Sequence, residues 1–69
     1  MTQQRAIETR AAVLTAAAHE FADRGYAGAS INNIIANSTS TKGALYFHFS
    51  SKQALAEAVL EDVRSVYTP

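Results

Sequence analysis

The 69-residue sequence has no cysteine, no tryptophan and no long uninterrupted hydrophobic run. Without cysteine, disulfides and thiolate metal sites are excluded, and the composition is compatible with a reducing compartment. No stretch is long enough to span a bilayer, and the opening MTQQRAIETR lacks the apolar core of a signal peptide. We therefore predict a cytoplasmic protein without membrane insertion, and the length predicts a single domain.

The charges of the chain balance, with six basic and six acidic residues, so the net charge alone does not suggest a nucleic-acid binder. Their distribution is uneven, because between Arg24 and Ala56 there is no acidic residue, whereas Lys42, His48 and Lys52 lie there. Acidic residues follow near the end, at Glu57, Glu61 and Asp62. A cationic centre beside an acidic end is typical of a protein that shows one face to phosphate and another to a further domain.

Hydrophobic periodicity predicts a long amphipathic first helix over residues 5–24. Its apolar side chains recur at three- and four-residue steps and are widened by further small residues, comprising Ile7, Ala11, Val13, Leu14, Ala17, Ala18, Phe21 and Ala22. The helix should end at Arg24-Gly25, because glycine accepts the positive φ of a C-terminal cap. Tyr26 should then fold back onto the core.

Two short helices separated by a polar turn are predicted next. Ser30 is a suitable N-cap for the first of them. Its apolar residues are Ile31, Ile34, Ile35 and Ala36. The polar run over residues 37–41 predicts a turn, in which Ser40 or Thr41 caps the following helix.

The third predicted helix, at residues 41–48, buries too little apolar surface for its formation to be explained by stability alone. Leu45 and Phe49 lie four residues apart and define a core face. The other side chains then point largely elsewhere, namely Lys42, Gly43, Tyr46 and Phe47. Two short helices joined by a tight turn form the helix-turn-helix plan, in which the second helix lies in the major groove of DNA.

Each residue type in the third helix has a physical reason to meet DNA. Gly43 would let the backbone approach the duplex, at a cost of about 1 kcal/mol relative to alanine within a helix. Lys42 can donate to guanine or phosphate, and Thr41 can bind a phosphate or contact a thymine methyl group. Tyr46 and His48 offer polar tips to the DNA backbone.

The last predicted helix starts after Ser50, which with Gln53 has the spacing of a capping box. Its apolar face comprises Leu55, Ala58, Val59, Val63 and Val66. Lys52 lies in the first turn, where it opposes the helix dipole. A phosphate bound by the free amides around Ser51 and Lys52 would resolve that conflict.

The run TKGALYFHF at residues 41–49, followed by Lys52 and Leu55, resembles the signature of the tetracycline-repressor (TetR) family. That signature reads Ser or Thr, any residue, Gly, two residues, Tyr, any residue, His or Tyr, Phe, then a Lys and a Leu. The segment FADRGY at residues 21–26 agrees with the same family, as do Ser30, Ile34 and Ala36. The residues of this run are especially similar to those of the TetR branch that senses γ-butyrolactone-type signalling molecules.

The resemblance implies an all-α, homeodomain-like helix-turn-helix bundle of three helices plus the start of a longer fourth. Residues 1–50 would be the DNA-binding core, and residues 51–69 a helix leading to a C-terminal domain that lies outside this chain. That domain would form a homodimer and bind a small-molecule inducer, of γ-butyrolactone type if the branch is right. Double-stranded DNA would be bound at a pseudo-palindromic operator, and inducer would end repression.

By the same resemblance, individual residues receive roles at the DNA. Thr41, Lys42, Gly43 and Phe47 would face bases, whereas phosphates would be held by Tyr46, His48 and Lys52. The predicted DNA-binding set is completed by Ser30, Ser40 and Ala44.

The turn departs from the family pattern, which most often has Ala-Gly-Val where this chain has Ser38-Thr39-Ser40. Thr39 stands at the glycine position, and a β-branched residue resists positive φ. The turn therefore either follows a different backbone path or is strained.

Other functions find less support in the residues. His19 has no partner at metal-ligand spacing, and Glu57 with Glu61 fits a solvated helix face better than acid-base chemistry. The polar run 38–41 lacks the glycines of a P-loop. We predict no enzyme, metal or cofactor. The alternative to DNA binding is a small helical module that binds another protein through the aromatic face of the third helix.

Overall fold

The computed structural model describes the backbone of residues 2–67 and the side chains of residues 7–62, and this part of the chain is all helical. The described residues form four successive helices, namely α1 (Thr2–Gly28), α2 (Ile31–Ser38), α3 (Lys42–His48) and α4 (Lys52–Tyr67). This order confirms the predicted fold class, with two short helices between two long ones. None of the described helices has the length and apolar content needed to cross a membrane.

A break in α1 occurs at Gly25, where φ is 73° and ψ is 172°. A Cβ atom added to Gly25 would meet nothing within 4 Å, so the backbone angle and not a lack of space calls for glycine. The predicted helix stop is therefore confirmed. Tyr26 differs from the prediction, because half of it is exposed and its ring stacks on Phe21 at a centroid distance of 6.0 Å without entering the core.

The core takes side chains from all four helices, which are Val13, Leu14, Ala16, Ala17, Ile34, Leu45, Phe49, Leu55 and Val59. Most of these were predicted. Four predicted apolar positions are exposed instead, at Ile7, Ala11, Ala22 and Ala36. For the three of these residues on α1, the reason is that the other helices pack against only one side of α1, centred on Val13 and Ala17. The side chains of Val63 and Val66 lie outside the described residues.

The helix caps are local side-chain hydrogen bonds. Ser30 Oγ accepts from the amide of Asn33 at 3.2 Å and caps α2, as predicted. Of the two candidates for α3, the cap is Thr41, whose Oγ1 accepts from the amide of Ala44 at 3.0 Å. The predicted capping box of α4 is wrong. Because α4 begins at Lys52, its cap is Ser51, whose Oγ accepts from the amide of Ala54 at 3.1 Å, and the Gln53 amide binds Glu57.

The turn between α2 and α3 keeps the left-handed path despite its unusual sequence. Thr39 has φ 52° and ψ 26°, and its amide donates to the carbonyl of Ile35. The Thr39 hydroxyl donates to the Ser38 carbonyl at 2.6 Å. The sequence left two alternatives for this turn, a different backbone path or a strained one. The structure adopts the strained one.

Replacing Thr39 with glycine is expected to raise the free energy of unfolding by about 1 kcal/mol. Relief of left-handed backbone strain contributes about 1–3 kcal/mol, and the greater freedom of glycine in the unfolded chain returns about 0.5–1 kcal/mol. Thermal unfolding should show a rise of about 4–8 °C per kcal/mol in a domain of this size.

The matched control for that experiment is Ser40→Gly at the adjacent position. Ser40 does not have positive φ, so glycine there should lower stability. If Thr39→Gly destabilises the protein as much as Ser40→Gly does, then the turn carries no strain at Thr39.

Candidate nucleic-acid interface

The two faces of α3 have opposite environments. Leu45 is fully buried and Phe49, just after the helix, is 4% exposed, so this side is anchored in the core. The opposite side is open to solvent and carries Thr41, Lys42, Gly43, Tyr46 and Phe47. A helix of seven residues is therefore held by one face and presents the other. This arrangement confirms the predicted outward orientation.

Gly43 is not required by the packing of the protein itself. A Cβ atom built on it would meet nothing within 4 Å, and its φ is not positive. Glycine in a helix is nevertheless less favourable than alanine by about 1 kcal/mol. Packing and backbone angle within the described structure therefore do not account for the glycine at this position.

The exposed face of α3 is also aromatic. Phe47 is 82% exposed, and its ring makes a T-shaped contact with the ring of His48 at a centroid distance of 5.1 Å. Tyr46 is 41% exposed beside it. A large apolar side chain left in solvent at the tip of a small domain is typical of a surface that a partner covers.

The remaining predicted site residues lie in two places. Ala44 and His48 are half-buried on α3, and Ser40 is half-buried just before it. Ser30 and Lys52 lie instead where the end of α1 meets α2 and α4. The Lys52 ammonium group donates to the carbonyl of Ala29 at 3.1 Å.

Lys52 is thus not part of the α3 face in this structure. Its Nζ atom lies 4.9 Å from the centroid of the Tyr26 ring, and the side chain is half-buried. The ammonium group is held by two partners from the protein. The role of Lys52 as a phosphate ligand stays a prediction. Its contacts with the Ala29 carbonyl and the Tyr26 ring were not predicted from the sequence.

Two further residues were missed by the sequence analysis. Glu20 is 6% exposed and accepts hydrogen bonds within the fold, and Arg10 lies over the Phe49 ring at 5.2 Å. A signal for Glu20 was present, because it falls on the buried side of α1, one turn after Ala16 and Ala17 and four residues before Arg24. Among the described residues there is no group of three side chains that could hold a metal ion.

The model of the bacterial regulatory proteins of the tetR family matches residues 13–59. The chain belongs to the TetR family. The matched segment begins at Val13 and ends at Val59, which are the first and last members of the buried core, so the TetR match covers the packed helix-turn-helix unit.

Several curated relatives of this TetR-family chain are regulators. The A-factor receptor protein of Streptomyces griseus is 46% identical over 63 residues, covering 91% of this chain and 23% of the relative. The regulator TtgR of Pseudomonas putida is 35% identical over 66 residues, covering 96% and 31% respectively. The transcriptional repressor BepR of Brucella suis is 35% identical over 63 residues, covering 91% and 30%. The chain thus spans about a quarter to a third of their lengths, and no solved structure matches it significantly.

Proposed function

We propose that this chain is the DNA-binding headpiece of a TetR-family transcriptional repressor, with α3 inserted in the major groove. One observation carries the proposal most directly. The face of α3 opposite the buried Leu45 and Phe49 is exposed to solvent, and it includes a glycine that the packing of the protein does not require. A recognition helix has these properties, because it must be anchored from behind while its front contacts base edges.

The side chains on this face have distinct parts in the proposal. Lys42 donates to guanine acceptors, and Phe47 and the methyl group of Thr41 contact thymine methyl groups. The Thr41 hydroxyl oxygen already accepts from the Ala44 amide, and the hydroxyl hydrogen can still donate to a phosphate. Tyr46 and His48 contact the sugar-phosphate chain and set the register of the helix.

The proposal extends to the protein that carries this headpiece. Residues 51–69 link the headpiece to a C-terminal domain that forms a homodimer, so that two copies of α3 meet the half-sites of a pseudo-palindromic operator. A small molecule bound in that domain changes the distance between the headpieces and ends repression. The similarity to the A-factor receptor protein supports a γ-butyrolactone-like inducer. The protein acts in the cytoplasm, on the nucleoid.

The test is the loss of a base contact at Lys42. A preferred duplex is first selected from random DNA with the full-length protein. Lys42→Ala should then cost about 1–3 kcal/mol on the preferred duplex and much less on a scrambled duplex, because a base contact discriminates between sequences. Fluorescence anisotropy over a series of salt concentrations measures both affinities.

The control for that titration is His19→Ala, an exposed substitution on α1 that should leave both affinities unchanged. Equal loss on both duplexes would show that Lys42 contacts phosphate alone. A wild-type protein that selects no site and binds all duplexes weakly would support the protein-interaction module instead.

A further inference from the structure

The ring of Tyr26 lies at the surface and has two neighbours. Phe21 stacks on it at a centroid distance of 6.0 Å and an interplanar angle of 15°. The Nζ atom of Lys52 lies over it, 4.9 Å from the ring centroid. The face of an aromatic ring is electron-rich and attracts a cation within about 6 Å of its centroid. The ring is therefore placed where it supports the charge of Lys52.

The chain between Gly25 and Ala29 brings a ring and a carbonyl group to the same cation. Gly25 has φ 73°, and this left-handed residue interrupts α1 just before Tyr26. The amide of Ala29 then donates to the carbonyl of Tyr26 at 3.3 Å across a turn. The Ala29 carbonyl, which follows the turn, accepts from the Lys52 ammonium group at 3.1 Å. The break and the turn thus set the positions of both partners of Lys52.

The Ala29 carbonyl has a fixed orientation. The amide of Ser30 belongs to the same peptide group and donates to Oε2 of Glu20 at 2.8 Å. Glu20 is buried, and hydrogen bonds with an ionised partner are stronger than neutral ones where water is largely excluded. Because the peptide group is held by its amide, its carbonyl is a fixed acceptor for Lys52.

The place of Lys52 in α4 makes these partners important. It is the first residue of the helix, where the helix dipole disfavours a cation. The Ala29 carbonyl and the face of the Tyr26 ring offset that effect. An ammonium group has three N–H donors and the carbonyl accepts from one, so donors remain for a phosphate oxygen. Both contacts are therefore compatible with phosphate binding.

We propose that Tyr26 is a positioning residue for Lys52, and that its ring, together with the Ala29 carbonyl, holds the ammonium group in place before a DNA phosphate binds. Ordering a long, flexible side chain at an interface lowers affinity by about two- to tenfold, and a lysine ordered in advance avoids that loss. The proposal rests on the proposed function and on the predicted role of Lys52 as a phosphate ligand.

Tyr26→Leu should weaken the preferred duplex and a scrambled duplex alike, by about two- to tenfold. The two losses should be equal because a phosphate contact carries no sequence information. The slope of log affinity against log salt should stay at its wild-type value, since the phosphate contact still forms, whereas Lys52→Met should lower it by about 0.9. Fluorescence anisotropy with the full-length protein measures affinities and slopes.

Tyr26→Phe is the matched control, because it keeps the ring and removes only the hydroxyl group. Its affinity for both duplexes should equal that of the wild type. A loss as large as that of Tyr26→Leu would show that the hydroxyl group and not the ring acts on DNA binding, and the positioning role would be refuted.

Pairs of substitutions separate an effect through Lys52 from a general effect on the fold. In the Lys52→Met background, Tyr26→Leu should cause no further loss of affinity, because the side chain that it positions is absent. In the Lys42→Met background it should cause its full loss, because Lys42 lies on the exposed face of α3. Equal losses in the two backgrounds would refute the proposal.

A measurement on the wild type covers the case in which Tyr26→Leu does not fold. The ring current of Tyr26 shields protons that lie over the ring, so the NMR signals of the Lys52 ε-methylene group should lie upfield of those of Lys42. They should remain there when the preferred duplex is added. Movement to the position typical of an exposed lysine would show that Lys52 leaves the ring on binding, and would overturn the positioning role.

Two outcomes distinguish this proposal from the proposed function. If the wild type prefers no duplex, the proposed function fails. If the wild type does prefer one duplex but Lys52→Met leaves the salt slope unchanged, then Lys52 is not a phosphate ligand and the positioning role of Tyr26 alone is refuted.

Discussion

Leu45→Ala is expected to lower the free energy of unfolding by about 2–5 kcal/mol, because it leaves a cavity where a fully buried side chain of α3 stood. A domain of 69 residues has a total stability of roughly 3–10 kcal/mol. The loss is thus a large part of the whole. Urea denaturation followed by circular dichroism measures it, and much of the protein should already be unfolded at 37 °C.

Leu60→Ala is the matched control, because Leu60 is the same residue type on α4 but is 67% exposed. Its effect should stay within about 0.5 kcal/mol, as for most surface substitutions. Similar losses for the two leucines would contradict the view that α3 is held by its Leu45 face. Since α3 has only one such face, the same substitution should also abolish preference for the selected duplex.

Gly43→Ala is expected to act in opposite directions on stability and on DNA binding. The free energy of unfolding should rise by about 1 kcal/mol, because alanine is the better helix residue and its Cβ atom meets nothing in the protein. Affinity for the preferred duplex should nevertheless fall at least about tenfold, because the added methyl group occupies the space through which the duplex approaches α3. Thermal unfolding and anisotropy titrations measure the two effects separately.

Gly28→Ala separates the general effect of removing a glycine from the effect at the interface. A Cβ atom at Gly28 would lie 3.5 Å from Cβ of Arg24, an ordinary contact, and the residue is far from α3 in the chain. Its stability should not fall, and its affinity for the duplex should equal that of the wild type. Wild-type affinity in Gly43→Ala would mean that no partner comes close to the α3 backbone, and the proposed recognition helix would have to be abandoned.

The family resemblance was accurate about the fold, and the departure at Ser38-Thr39-Ser40 shows how the fold tolerates an unfavourable residue. Thr39 takes the left-handed conformation for which its side chain is poorly suited. Hydrogen bonds hold the turn, because the amides of Thr39 and Ser40 and the Ser38 hydroxyl all donate to the Ile35 carbonyl. The Thr39 hydroxyl also donates to the carbonyl of Ser38. The neighbouring contacts therefore outweigh a local preference of about 1–3 kcal/mol.

The sequence by itself determined the order of the helices, the stop at Gly25, the cap at Ser30, and the buried face of Leu45 and Phe49, and it narrowed the cap of α3 to Ser40 or Thr41. Each of these depends on residues within about one helical turn of one another, so spacing and residue type are sufficient. The outward face of α3 followed from the same rule, since the side opposite a short core face must be exposed.

Only the tertiary structure decided which side of α1 is buried, that Ile7 is exposed, and that Glu20 and Lys52 share one peptide group. These features depend on how the helices pack, and the hydrogen bonds of Glu20 and Lys52 to that peptide group join residues 10 and 23 positions apart in the chain. Local spacing can predict a partner one turn away on the same helix, as for Glu20 and Arg24. Contacts with the backbone of another helix depend instead on what the packing brings within about 3 Å.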